Sequence, residues 1–137
     1  MSFVPETLKY CVMKTISIEG TSKTPSIKFD SIQAKLEIKG KSIPENAKEF
    51  YKPLVDTLSQ YDPSFNELVE VDIQLDYFNI HSSKCILDVF KRLHAIMNHG
   101  HKVVINWYYE KGDNDILEAG EDYEAIVDMH FNMLQAL

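Results

Sequence analysis

The segment at residues 68–78, LVEVDIQLDYF, alternates without a break: Val69, Val71, Ile73 and Leu75 take turns with Glu70, Asp72, Gln74 and Asp76. Successive side chains of a strand point to opposite faces, so this segment belongs in a sheet with one apolar face and one polar face. A chain built around it must cover that apolar face with its remaining apolar segments. Residues 13–19 (MKTISIE) and 34–39 (AKLEIK) repeat the alternation through Ile16, Ile18, Leu36 and Ile38. Turn-forming residues, GTSKTPS, follow the first, and Gly40 closes the second. The two are expected to be neighbouring strands, as in a hairpin.

The cover comes from helical patterns. Ser42-Ile43-Pro44-Glu45 offers a capping hydroxyl, a first-turn proline and an acid three residues on. Ala47, Phe50, Tyr51, Leu54, Val55 and Leu58 then share one helical face until Asp62-Pro63. Pro53 lies inside this run and removes a backbone donor, which predicts a kink or break near Tyr51. A second helix is expected after a turn at residues 79–83, with Ile86, Leu87, Phe90, Leu93, Ile96 and Met97 on its apolar face and Asn98-His99-Gly100 as its end. Residues 103–109, VVINWYY, are apolar enough for a strand inside a sheet. A third helical face follows in Leu117, Tyr123, Ile126 and Val127, interrupted at Gly120, and residues 129–134 form a closing edge strand. At 137 residues the chain buries roughly 68% of its unfolded surface, enough for one core and too little for two. The order predicts a single α/β domain: a mixed β-sheet with helices packed mainly on one face.

Charge and composition remove several classes of function. Fourteen Lys and Arg against 21 Asp and Glu give a net charge of −7 with no basic stripe, so nucleic acid is not an expected partner. No apolar run nears the roughly 20 residues of a membrane helix, and the first twelve residues lack the pattern of a signal peptide. Cys11 and Cys85 are too few for a disulfide framework and fit packing in a reducing compartment, so a cytoplasmic protein is expected. Glycines at 20, 40, 100, 112 and 120 form no phosphate loop. Asp113-Asn114-Asp115 departs from a calcium loop at Leu117, and the pair His99 and His101, with His94 upstream, lacks a third convincing ligand in zinc spacing. The histidines read as a helix end. Seven carboxylates lie between Glu110 and Glu124, and the run Asp113-Asn114-Asp115 among them reads as a solvated face or a helix N-terminus favoured by negative charge. No nucleophile motif surrounds His81 and Ser82. No metal, cofactor or catalytic residue is therefore expected.

The junction Tyr77-Phe78-Asn79-Ile80-His81-Ser82-Ser83-Lys84-Cys85 places hydroxyls between a buried strand and an amphipathic helix. Backbone N–H groups at such a helix start stabilise a phosphate, which adds a charge of about −1.5 to −2. The plainer reading makes Ser82 an N-cap worth about 1 kcal/mol.

Four stretches carry a resemblance: GTSKTPSI (20–27), LEIKGKSIPENAKEFYKPL (36–54), LDYFN with SSKCILD (75–79 and 82–88), and VINWYYEKGDNDILEAGEDY (104–123). With them the chain resembles the SiaC family of bacterial regulatory phosphoproteins, whose fold is similar to STAS-type anti-sigma-factor antagonists. The likeness runs from Met13 onward as one domain, 13–137. Residues 1–12 form an extension outside it, which makes Met13 a candidate start. The resemblance implies a non-enzymatic partner switch. It further implies that a Ser/Thr kinase would phosphorylate the switch, a PP2C-type phosphatase would reverse this, and the unmodified form would bind and activate a diguanylate cyclase, linking it to cyclic di-GMP and biofilm behaviour. The family's acceptor threonine falls at Ile80, which cannot take phosphate, and His81 stands where a small hydroxyl residue is usual. Either the acceptor has moved to Ser82 or Ser83, with Ser82 favoured, or this member is locked in its partner-binding form. The expected contact surface is Asn79, Ile80, His81, Ser82, Ser83 and Lys84, with Asp113 and Asp115. Two rivals are an unregulated binding scaffold and a small-ligand binder or enzyme using Asn79, His81 and Ser82.

Overall fold

The computed structural model of the chain describes residues 15–62 and 68–136. Cys11, Met13, Pro63 and the 1–12 extension lie outside the described residues. The elements run β1 (Thr15–Ile18), β2 (Ser26–Asp30), β3 (Lys35–Ser42), α1 (Ala47–Gln60), β4 (Leu68–Phe78), α2 (Ile80–Asn98), β5 (Lys102–Tyr109), α3 (Asn114–Val127) and β6 (Phe131–Gln135). Among the described residues they form one six-stranded sheet whose spatial order is the chain order. β1, β2 and β3 pair antiparallel, whereas β3 to β6 are parallel neighbours joined through the helices. Every parallel crossover steps in the same direction, and the right-handed rule then places all three helices on one face.

That face holds the core. Ile27, Phe29, Leu36, Ile38, Val71, Ile73, Ile105 and Trp107 from the sheet pack with Leu54, Ile86, Phe90, Leu93 and Tyr123 from the helices in one buried cluster. The opposite face is the polar half of the alternation, ordered by its own hydrogen bonds. Asp72, Asn106 and Asn132 stand in register across β4, β5 and β6. Asn132 donates to Asn106 at 3.0 Å and Asn106 donates to Asp72 at 2.8 Å.

Four sequence expectations need correction. The strands at β1 and β3 are not neighbours, because β2 lies between them, with Ile18 opposite Ile27 and Ile27 opposite Ile38. Its two buried residues, Ile27 and Phe29, are too short an alternation to stand out beside the preceding turn. Ser42 does not cap α1. It is the buried last residue of β3, while Asn46 caps the helix by accepting from the Glu49 N–H at 3.2 Å and donating to the Glu49 carboxylate at 3.3 Å. α1 also runs unbroken through Pro53, which sits on the exposed side where water can serve the Glu49 carbonyl it leaves without a donor. Likewise Gly120 does not interrupt α3: it is buried inside the helix against Trp107.

Candidate functional site

Parallel strands end at the same edge of a sheet, so the segments after β3, β4 and β5 assemble at one end of the molecule. Asn79 alone separates β4 from α2. Its N–H donates to the Ser42 carbonyl at 3.1 Å, its side-chain oxygen accepts from the Ser82 N–H at 2.8 Å, and its carbonyl accepts from the Ser83 N–H at 2.9 Å. Asn79 is therefore the N-cap, which corrects the reading of Ser82 as the cap. The expected turn at 79–83 is likewise replaced by the first turn of the helix itself.

Inside that turn the two serines face different surroundings. Ser82 is fully buried; its hydroxyl donates to the Ser42 carbonyl at 3.1 Å and accepts from the Ser42 hydroxyl at 2.8 Å. Ser42 has one hydroxyl hydrogen, so the Tyr51 hydroxyl, 2.6 Å away, must be the donor to it. The order Tyr51 to Ser42 to Ser82 to the Ser42 carbonyl ties α1 and β3 to the start of α2. Burial pushes the Tyr51 phenol well above its ordinary value, which keeps it a neutral donor. Ser83 is half-buried. The Tyr123 hydroxyl of α3 donates to its carbonyl at 2.8 Å and lies 3.2 Å from its hydroxyl.

Desolvation raises Tyr123 to about 12 from its ordinary 10, partly offset by the Ser83 hydrogen bond. A raised acid pKa means that the unfolded chain loses the proton first as pH climbs. The stabilisation from the neutral phenol is thus complete below pH 10 and is lost as pH rises through 12. Tyr51 shifts in the same direction and adds to the effect. Urea titrations at pH 8, 10, 11 and 12 should show a midpoint that holds to about 10 and then falls, and a Tyr123→Phe variant should lose less over that window.

What the turn shows to solvent is apolar and cationic. Ile80 is 70% exposed and Tyr77 is 55% exposed, with His81 and Lys84 exposed beside them. The structure thus brings Ile80, His81 and Lys84 to the surface as expected, leaves Asn79 and Ser83 half-buried, and withdraws Ser82 into the core. Tyr77 was not in the expected surface. The pairing of β3 with β4 shifts register there, Gly40 standing opposite Leu75 and Lys41 opposite Tyr77, so Phe78 rather than Tyr77 turns toward Trp107 in the core; the sequence, apolar at 75, 77 and 78, carries no signal of that shift. Asp113 is the N-cap of α3, accepting from the Ile116 N–H at 3.1 Å, and Asp115 is exposed in the first helical turn. A cleft of about 160 Å³ lined by Asp76, Glu110 and Asp113, among others, joins the end of β4 to the start of α3.

Elsewhere the histidines serve the end of α2: His94 pairs with Asn98 and His99 with the Ala95 carbonyl. No group of three metal-ligating side chains gathers among the described residues. Cys85 packs half-buried against the core, and burial, with Asp88 nearby, pushes its thiol pKa up, so it stays protonated. No helix of the described residues is long and apolar enough to cross a membrane.

Known proteins share this fold and sequence. An uncharacterised protein of Pseudomonas aeruginosa (strain UCBPP-PA14) is 28% identical over 111 residues, which cover 81% of this chain and 88% of the relative. A chain of the crystal structure of the P. aeruginosa diguanylate cyclase SiaD in complex with its activator SiaC matches with a TM-score of 0.81 at 26% identity, covering 88% of this chain and 99% of that one. The structure of apo-SiaC from P. aeruginosa matches with a TM-score of 0.78 at 26% identity, over 91% of this chain and 100% of that one. The sequence profile of the SiaC family regulatory phosphoprotein matches residues 18–136. With nearly the whole described fold inside that match, the chain belongs to the SiaC family of regulatory phosphoproteins.

Proposed function

We propose that this protein is a non-enzymatic activator that binds a diguanylate cyclase through the end of the molecule bearing Tyr77, Ile80, His81 and Lys84, with Asp115 at its margin. The observation that carries the reading is Ile80, a large apolar side chain held 70% exposed at the first position of α2, three residues after the exposed Tyr77. Exposed large apolar groups at one end of the molecule, with Lys84 one helical turn from Ile80, suit a protein surface. Support also comes from family membership and from the likeness to the SiaD–SiaC complex, in which SiaC is the activator. A cytoplasmic setting and a link to cyclic di-GMP belong to this proposal.

Regulation at the turn follows from the same geometry. A phosphate on Ser82 needs a hydroxyl that is fully buried and already bonded on both sides, and Ile80 offers none. The reading favoured is a member held in its partner-binding form. One observation supports a second reading: Ser83 is half-buried, so its hydroxyl is the nearest in this turn for a Ser/Thr kinase and a PP2C-type phosphatase. The rival use of Asn79, His81 and Ser82 as a ligand site is disfavoured, because Asn79 is spent on capping and Ser82 on packing. The strand order, moreover, never reverses among the described residues to open a crevice for a ligand.

The test is to titrate the protein into a purified SiaD-type diguanylate cyclase from the same organism, following cyclic di-GMP formation and binding heat. Saturable activation is expected, with the 77–85 peptide unphosphorylated in the native protein by mass spectrometry. No binding and no change in cyclase rate would refute the activator, and phosphate on Ser83 would establish the second reading.

A further inference from the structure

We propose that Tyr123 is a positioning residue for the partner surface: its hydroxyl latches the first turn of α2 and fixes the direction in which Ile80 points. This rests on the proposed binding role of that turn. The first turn of a helix lacks intrahelical partners for its N–H groups and is where helices fray. Here it is gripped from two sides. Ser82 is drawn inward by the hydroxyl chain from Tyr51 and Ser42, and Ser83 is held by Tyr123 from the separate helix α3. Residues 80, 83 and 84 lie at three- and four-residue spacing, so Ile80, Ser83 and Lys84 share one helix face. Tyr123 therefore holds the residue one turn along from Ile80 on the face that meets the partner.

The latch also ties together two parts of the surface. Tyr123 belongs to the acidic helix that Asp113 caps and that bears Asp115, so its hydroxyl links the α3 side of this end of the molecule to the α2 side. Its ring is independently anchored against Phe90 and Trp107, with centroids 5.1 and 5.7 Å away. Removing the hydroxyl leaves the ring in place. A turn held in its bound geometry loses less freedom on association, and so Tyr123 supports affinity without touching the partner.

Amide hydrogen exchange on Tyr123→Phe in the absence of any partner tests this. Exchange at Ser82, Ser83 and Lys84 is expected to rise about fivefold, from the loss of one hydrogen bond holding the turn. Amides that open locally at the far end of α2, at Asn98, His99 and Gly100, should be unchanged, while those of Val71 and Ile73, which report global unfolding, should rise no more than the turn does. Ser83→Ala, which keeps the carbonyl that Tyr123 grips, should leave the turn within about twofold of the parent by the same reasoning. Unchanged exchange at the turn in Tyr123→Phe, or an equal rise at the far end of α2, overturns the proposal. Equal effects of Tyr123→Phe and Ser83→Ala overturn it as well, because the hydroxyl contact would then be the one that matters. Since no cyclase is present, these results stand apart from the activator reading, which fails only if the parent protein does not bind.

Discussion

Gly120→Ala should destabilise the protein by about 2–4 kcal/mol, a large share of the 5–15 kcal/mol typical of a domain. A β-carbon at position 120 would lie 2.5, 2.6 and 2.8 Å from Cδ1, Nε1 and Cγ of Trp107. No real contact is that short, so something must move. The indole cannot retreat easily. It is fully buried, with Phe78, Phe90, Tyr123 and Phe131 around it, and its Nε1 donates to the Ile116 carbonyl of α3 at 2.8 Å. Shifting the ring breaks that bond and leaves a buried donor unpaired, which costs about 1–3 kcal/mol, and the overpacking costs a similar amount. Alanine's better helix propensity returns only about 1 kcal/mol. The chain has a single Trp, so fluorescence-monitored urea unfolding reports directly on this site. A midpoint matching the parent's would mean that α3 slides freely over β5, and the close-approach account would fail.

Gly120 also shows where sequence reading stops. A lone glycine within a helical pattern reads as an interruption, and only the partner across the interface reveals it as the place where a helix backbone meets an indole ring. The same limit hid β2: Ile27 and Phe29 alternate over five residues, and what makes them a strand is pairing with β3 on one side and β1 on the other. Long patterns fared better. β4 has the bounds that its alternation predicts, and α2 ends at Asn98 with Gly100 at φ +94 just beyond, as its apolar face and terminal glycine imply. Caps were legible in kind but not in place, since Ser42, Asn46, Asn79 and Ser82 are all capping residue types. Only the backbone path decided that the two asparagines cap while the two serines bond each other in the core.

At the candidate site, residue types pointed to the turn at residues 79–84 but assigned its internal roles differently. A serine in the first turn of a helix appears available for modification because such positions are commonly exposed. Ser82 is not, since its place on the helix directs it toward Ser42 and Tyr51, forty positions and more than thirty positions away in sequence. Contacts of that range leave no local signal. Tyr123, forty residues from Ser83, is hidden for the same reason. Asp113 was legible, because an acid just before a helical pattern has a local task, and it caps α3.

The largest functional effect is expected at Ile80. Ile80→Asp should weaken binding to the proposed partner, a diguanylate cyclase, by about 100-fold or more, equivalent to roughly 2.7 kcal/mol. Burying an isoleucine side chain contributes about 1.5–3 kcal/mol, and forcing a carboxylate into the same contact adds its desolvation penalty. The fold should not suffer. Ile80 packs against little, being 70% exposed, and a negative charge in the first turn of α2 is favoured by the helix dipole by about 0.3–1 kcal/mol. Stability equal to or slightly above the parent, beside a large loss of binding, is therefore the signature of a surface role. Ile80→Thr separates charge from shape. It places a hydroxyl at the exposed first helical position, where the family resemblance locates the phosphoacceptor and where, unlike at Ser82, nothing in the fold covers it. Unmodified Ile80→Thr should bind within about tenfold of the parent, because it loses only part of one apolar side chain. Treatment with a Ser/Thr kinase of the family should then reduce its binding toward that of Ile80→Asp while leaving the parent unaffected. An Ile80→Asp protein that still binds as the parent does would place the cyclase contact elsewhere on the molecule, and a parent that responds to the kinase as strongly as Ile80→Thr would return the switch to Ser83.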